Sequence, residues 1–144
     1  MLEVPLLRLD AELPVPSYAR PGDAGADLYA RIDVTLRPGG GRALVPTGVA
    51  VAIPEGHAGF IQPRSGLALK HGVTCLNTPG LIDAGYRDEL RVLLVNTDPD
   101  QPYQVRRGDR VAQLVIQRIE TAAFTESDLP PSDRGTGGFG HSGR

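Results

Sequence analysis

Residues 46–56 read Pro-Thr-Gly-Val-Ala-Val-Ala-Ile-Pro-Glu-Gly, so Val49, Val51 and Ile53 alternate with small residues until Pro54-Glu55-Gly56 stops them. A period of two points one face of a strand inward, and a proline and glycine stop is how a short strand ends. The pattern recurs along the chain. Leu90, Val92 and Leu94 alternate between Glu89 and the turn Asp98-Pro99-Asp100, and Val111 to Ile119 reads as a further strand entered through Gly108-Asp109. The 18 glycines and 13 prolines fall between such segments instead of collecting in one linker, which predicts a many-stranded all-β domain. One helix is expected in the first 120 residues, with Ser65 as N-cap, Leu67-Ala68-Leu69-Lys70 as its body and Gly72 as its close. Glu120 to Leu129 reads either as a further turn of helix or as a loose arm, and there is no internal repeat.

At 144 residues the chain suffices for one domain with a real core, since a domain of this size buries about 68–70% of its extended surface. The formal net charge of -2, with Lys and Arg dispersed, argues against stable binding to nucleic acid or to an anionic membrane. Lys70 is the only lysine among the 15 basic residues. Arginine is the better fork for phosphate oxygens, although genome base composition produces the same bias. Cys75, the single cysteine, cannot form an internal disulfide and is expected to be a buried thiol in a reducing compartment. Met1-Leu2-Glu3-Val4-Pro5 lacks the basic end of a signal peptide, and no stretch approaches the roughly 18 apolar residues of a membrane helix. A cytoplasmic protein is the expectation. Beyond Pro130-Pro131 the composition turns to glycine and small polar residues, which divides the chain into a β domain, 1–129, and a flexible tail, 130–144. Such a tail could extend about 45–50 Å, enough to reach a neighbouring subunit.

Three segments could carry chemistry. The tail spells G-x-G-x-x-G from Gly135 to Gly140, but only four residues follow, so the helix that a dinucleotide fingerprint requires is missing. Taken alone the tail is a disordered end; Arg134 and Phe139 give it the means to cover a ligand. In Pro63-Arg64-Ser65-Gly66-Leu67-Ala68, an Arg, a hydroxyl and an unhindered backbone meet at the first turn of the short helix, which suits an anion; the alternative is that Ser65 is only a cap. In Asn77-Thr78-Pro79-Gly80-Leu81-Ile82-Asp83-Ala84-Gly85-Tyr86-Arg87, one carboxylate sits among apolar and small residues, placed either as a general base or for a local hydrogen bond. His57, His71 and His141 have no ligand spacing and read as ordinary surface or packing histidines. A dedicated metal cage is not expected; a Mg2+ would arrive with substrate phosphates and water.

Taken in order, these segments resemble the five motifs of the trimeric dUTPases. Ala24-Gly25-Ala26-Asp27-Leu28-Tyr29-Ala30 is similar to the first, Pro63 to Ala68 to the second, and Asn77 to Leu90 to the third. Arg107-Gly108-Asp109-Arg110-Val111-Ala112-Gln113 is similar to the fourth and Arg134 to Gly143 to the fifth, so the resemblance spans nearly the whole chain. It implies a jelly-roll-like, distorted β-barrel subunit in a homotrimer, with each tail closing over a neighbour's site. It also implies hydrolysis of dUTP to dUMP and pyrophosphate with Mg2+, limiting uracil incorporation into DNA and supplying dUMP for thymidylate synthesis. By the resemblance Asp83 is the base, with Asp27 supporting the site from behind. Arg64, Ser65 and Gly66 hold the phosphates, Gln113 the water or phosphate network, and Arg134 the γ-phosphate. Uracil is read by Asn77 and by backbone from Leu81 and Ile82 to Arg91. Tyr86 packs on the deoxyribose, and Phe139 with Gly140 covers the base.

Two positions depart from the family pattern. Asp88 stands where the third motif carries glycine, and His141 where the fifth carries Ser or Thr. If that glycine served a left-handed backbone, Asp tolerates the region better than most residues, and beside Glu89 it adds negative charge to a segment that receives a triphosphate. Removing it is then expected to be neutral or mildly stabilising. Two rival readings share the fold: a dCTP deaminase, whose deaminating acid has no counterpart here, and a non-enzymatic regulator, against which Asp83, Arg64 and Arg134 argue.

Overall fold

The computed structural model describes all 144 residues. Eleven strands and one helix follow in the order β1 (Leu6–Arg8), β2 (Ala26–Tyr29), β3 (Val34–Leu36), β4 (Arg42–Pro46), β5 (Val49–Val51), β6 (His57–Gln62), α1 (Ser65–His71), β7 (Val73–Cys75), β8 (Gly80–Ile82), β9 (Arg91–Asn96), β10 (Tyr103–Val105) and β11 (Arg110–Arg118). All pairings are antiparallel. The strands divide among a four-stranded sheet, β2-β11-β6-β8, a three-stranded sheet, β4-β9-β7, and the pairs β1-β5 and β10-β3. The all-β, jelly-roll-like class expected from the sequence is what the chain adopts, with several sheets around a common core in place of one continuously hydrogen-bonded barrel.

That core is one cluster of 17 buried residues, fed by alternating positions such as Leu28, Val45, Ile61, Val92, Leu94 and Leu114. Alternation fails in two places for physical reasons. Val49, Ala50 and Val51 are all buried because β5 is covered on both faces. Val111 and Ala112 are both buried because the register of β11 against β2 shifts between Arg110 and Ala112, a bulge that turns consecutive side chains inward. The core also holds Asn96, fully buried, whose amide donates to Leu36 O and Gln101 O and whose Oδ1 accepts from the Asp98 N–H. Cys75 is buried, and burial pushes its thiol up to about 11, so it is unreactive at neutral pH.

The helix starts differently from the expectation. Arg64, extended at φ -97°, is the N-cap residue, and Ser65 is the first helical residue with no side-chain cap bond. Two residues further apart in role than adjacent in sequence are thus exchanged: the chain bends at Arg64 and the Ser65 hydroxyl is left uncommitted. The helix closes as expected at Gly72, whose left-handed φ of 65° lets its N–H reach Ala68 O at 3.0 Å, while a Cβ there would meet Thr97 Oγ1 at 2.8 Å. After Arg118 no helix or strand follows, so Glu120 to Leu129 runs as an arm, with Phe124 and Leu129 exposed. No helix is long and apolar enough to cross a membrane.

Candidate active site

Three of the five sequence segments converge on one polar cavity of about 350 Å³, lined by Asp23, Ala24, Gly25 and Asp27, by Arg64, Ser65 and Gly66, and by Arg110 and Gln113, with Ala19 at its edge. The sheet explains the convergence. Asp27 on β2 pairs with Gln113 on β11, and Gln113 pairs with Gln62 at the end of β6, two residues before Arg64. Along β2, Ala26 and Leu28 turn into the core and Asp27 turns to the cavity. A Cβ at Gly25 would displace the Gln113 carboxamide, whose Oε1 lies against that position. Gln113 in turn donates from Nε2 to Pro63 O at 3.1 Å, which fixes the entry to the Arg64 bend.

Asp27 sits between two cations, 3.8 Å from Arg64 Nε and 3.4 Å from Arg110 Nη1, and Arg64 Nη1 also donates to Arg110 O at 3.3 Å. With Asp23 also on the lining, the cavity holds two carboxylates and two guanidinium groups beside the free Ser65 hydroxyl. Guanidinium groups held this way present forks whose geometry matches phosphate oxygens. Arg110 was missed as a site residue by sequence reading, although it lies inside the fourth segment. Its signal was the Gly108-Asp109 turn that starts β11 and throws Arg110 toward the cavity.

The other expected residues are not brought there. Leu81, Ile82, Asp83 and Tyr86 lie on and after β8, the opposite edge of the four-stranded sheet from β2; Asn77 precedes β8, and Arg91 begins β9 in the three-stranded sheet. Asp83 is exposed and its carboxylate has no hydrogen-bond partner, while Leu81 is 59% exposed. Tyr86 packs its ring against the core and donates its hydroxyl to Glu89 O at 3.0 Å. Arg91 pairs with Asp88 at 3.3 Å. The tail folds only on itself: Arg134 Nε donates to Gly137 O at 2.7 Å, and Phe139, at φ 51°, is exposed next to Gly140.

The reading of Asp88 is corrected by its surroundings. Its φ is not positive, its Oδ1 accepts the Glu89 N–H at 2.7 Å, and its Oδ2 faces Arg91. Glu89 does not add charge toward a phosphate either, because it turns inward to Arg31 and to the Gly48 N–H. Sequence reading also missed the ionic network next to it, in which Arg107 binds Asp10 at 2.6 Å and Asp10 lies 3.4 Å from Arg31. The hydrogen bonds from Arg107 hold the Asp10 carboxyl down to about 2. No group of three or more His, Cys, Asp or Glu side chains comes together that could hold a metal ion.

The class is thus an all-β protein with an arginine-lined polar cavity at one edge of its four-stranded sheet and an exposed carboxylate just after the strand at the other. The dUTPase family model matches residues 11–143, and the chain belongs to that family. It is 59% identical over 143 residues to the deoxyuridine 5'-triphosphate nucleotidohydrolase of Thermobifida fusca, covering 99% of this chain and 79% of that one. It is 55% identical over 143 residues to the enzyme of the same name from Rhodococcus erythropolis, covering 99% and 87%. Among solved structures, the Staphylococcus bacteriophage 80alpha dUTPase with dUPNHPP superposes with a TM-score of 0.89 at 29% identity, over all of both chains. A variant dUTPase of S. aureus phage phi11, solved with a structural Mg(II) ion, gives 0.79 at 28% identity, over 89% of this chain and 98% of that one.

Proposed function

We propose that this chain hydrolyses dUTP to dUMP and pyrophosphate as a homotrimer, in sites completed by neighbouring subunits. The observation that carries the reading is the cavity in which Asp27 orients Arg64 and Arg110 beside a free Ser65 hydroxyl and the Gly66 backbone. These groups take the phosphates, with Gln113 completing the network. Asp83 orients a water for in-line attack on the α-phosphorus. The new bond is P–O from water, the bond broken runs from the α-phosphorus to the oxygen bridging to the β-phosphate, and the water proton passes through the Asp83 carboxylate to solvent. The same reading places the protein in the cytoplasm.

Distance supports a site shared between chains. β2 and β8 are separated by three interstrand spacings, about 14 Å, and Ile82 pairs three residues away from the level of Asp27, roughly another 10 Å along the strand. A base must stand within about 3 Å of the water it orients. Asp83 of one subunit is therefore assigned to the cavity of another, and the tail with Arg134 and Phe139 closes from a neighbour. Exposed apolar side chains on the subunit, among them Leu6, Leu7, Phe124 and Leu129, supply surface for that assembly.

Asn77 with the backbone at Leu81, Ile82 and Arg91 reads uracil, since fixed amide donors and acceptors match its edge and reject the amino group of cytosine. Tyr86 stands against the deoxyribose and excludes a 2′-hydroxyl. The donor set fits Mg2+ only through the substrate: the cavity offers Asp27, already shared by two arginines, and Asp23, one of whose oxygens accepts the Arg20 N–H, so phosphate oxygens and water would complete the coordination. When bound, the ion would neutralise phosphate charge and fix the shape of the triphosphate. The test is pyrophosphate release from dUTP, UTP, dCTP and dTTP, each with and without Mg2+. Release from dUTP alone, dependent on Mg2+, is expected, and release of ammonia from dCTP would point to the deaminase instead.

A further inference from the structure

Away from the phosphate cavity, a polar cluster is built on the buried Glu89, at the end of the hairpin. Glu89 is 8% exposed; both carboxylate oxygens lie 3.2 Å from Arg31 Nη1, and Oε2 also accepts the Gly48 N–H at 2.9 Å. Its backbone is fixed on both sides: the N–H donates to Asp88 and the carbonyl accepts the Tyr86 hydroxyl. Arg31 is itself held, donating to Leu9 O at 3.2 Å and facing Asp10, which Arg107 binds.

A buried carboxylate of this kind is a weak source of stability, because desolvation offsets most of the attraction to its partner. What it does supply is position, since three bonded directions leave the residue one placement. The hydroxyl of Tyr86 hangs on the carbonyl of that residue. Excluding a 2′-hydroxyl by contact alone demands a ring that cannot yield, for a shift of about 1 Å makes room for one more oxygen. We propose that Glu89, gripped by Arg31 and the Gly48 N–H, is a positioning residue for sugar discrimination, holding the Tyr86 ring in place through its own carbonyl. The proposal rests on the reading that Tyr86 faces the deoxyribose.

The test is a double-mutant cycle on the intact chain: wild type, Glu89→Gln, Tyr86→Phe and the double variant, each assayed for kcat and KM with dUTP and UTP, with Tm and oligomeric state measured in parallel. Gln keeps the volume and an oxygen for Gly48 while losing the charge that grips Arg31. Each single variant is expected to raise the UTP to dUTP ratio of kcat/KM by about threefold or more, and the double variant no further than the larger single effect, because the two act on one ring. An unchanged ratio with a lowered Tm, or effects that multiply in the double variant, would show Glu89 to be structural only. Should Glu89→Gln not fold, Arg31→Lys retains the charge with a poorer fork and carries the same expectation. If Tyr86→Phe and Tyr86→Ala both leave the ratio at the wild-type value while dUTP is turned over, the placement of Tyr86 fails and the role of Glu89 falls with it. A wild type that hydrolyses neither nucleotide overturns the functional reading itself.

Discussion

Around Asp27 the side chains are committed to one another: two arginines converge on the carboxylate, one of them also bonds a backbone carbonyl, and Gln113 is tied to Pro63. Around Asp83 they are not. The carboxylate is unpartnered, Leu81 stands in solvent, and Phe139 and Arg134 belong to a tail whose hydrogen bonds all stay within it. The pairs around Asp27 are partly exposed and contribute little to stability. Their effect is orientation, so that in the proposed function the charges facing a phosphate need no rearrangement when it arrives. Asp83 and the tail have no such partners in the rest of the chain; in the proposed trimer they meet the substrate and a neighbouring subunit. In the proposed trimer one half of the site is complete in the single chain, and the other half is offered to a neighbour.

The largest effect is expected at the offered half. Asp83→Asn should retain dUTP binding and lose roughly a hundred- to ten-thousandfold in kcat. Near-normal turnover would remove Asp83 as the base. Deleting residues 134–144 should leave a folded trimer with turnover reduced by roughly ten- to a thousandfold, the scale of losing preorganised charge stabilisation. Full activity in the truncated protein would make the tail inert.

Complementation sharpens the contrast between the two halves. Arg64→Ala damages the cavity and Asp83→Asn the hairpin; refolded together in equal amounts, they should recover roughly a quarter of wild-type sites by random assortment in a symmetric oligomer. Sites confined to one chain would recover nothing.

Smaller effects test the ionic network under the hairpin. The folded-state pKa of Asp10 lies near 2, below its ordinary 3.8. Its charge therefore stabilises the fold above about pH 4, and that contribution is lost as pH falls through 2. Asp10→Asn should lower Tm at pH 7, with the difference from wild type closing by pH 2; a gap that persists there would assign the effect to packing. Asp88→Gly is expected to cost a few tenths to about 1 kcal/mol, since glycine loses more conformational freedom on folding and removes the acceptor for the Glu89 N–H. A raised Tm would show that the Asp88 contacts add strain.

What the sequence by itself determined is what local rules and ordered motifs carry. Alternation at Val49, Val51, Leu90, Val92 and Leu94 predicted strand segments that bury those side chains, Gly72 predicted the helix stop, and the five segments predicted the family. Local rules failed where a tertiary neighbour decided the outcome: Ser65 lost the cap position to the Arg64 bend, and Val111 and Ala112 turned inward together at a bulge against β2. Only the tertiary structure brought Arg110 to Asp27 across 83 positions and Arg31 to Glu89 across 58. It likewise set Asp83 at the sheet edge opposite the cavity. Spacing along a chain encodes periodicity and turns, whereas the partner of a charged side chain is fixed by which strands pair, and pairing is a property of the assembled sheet.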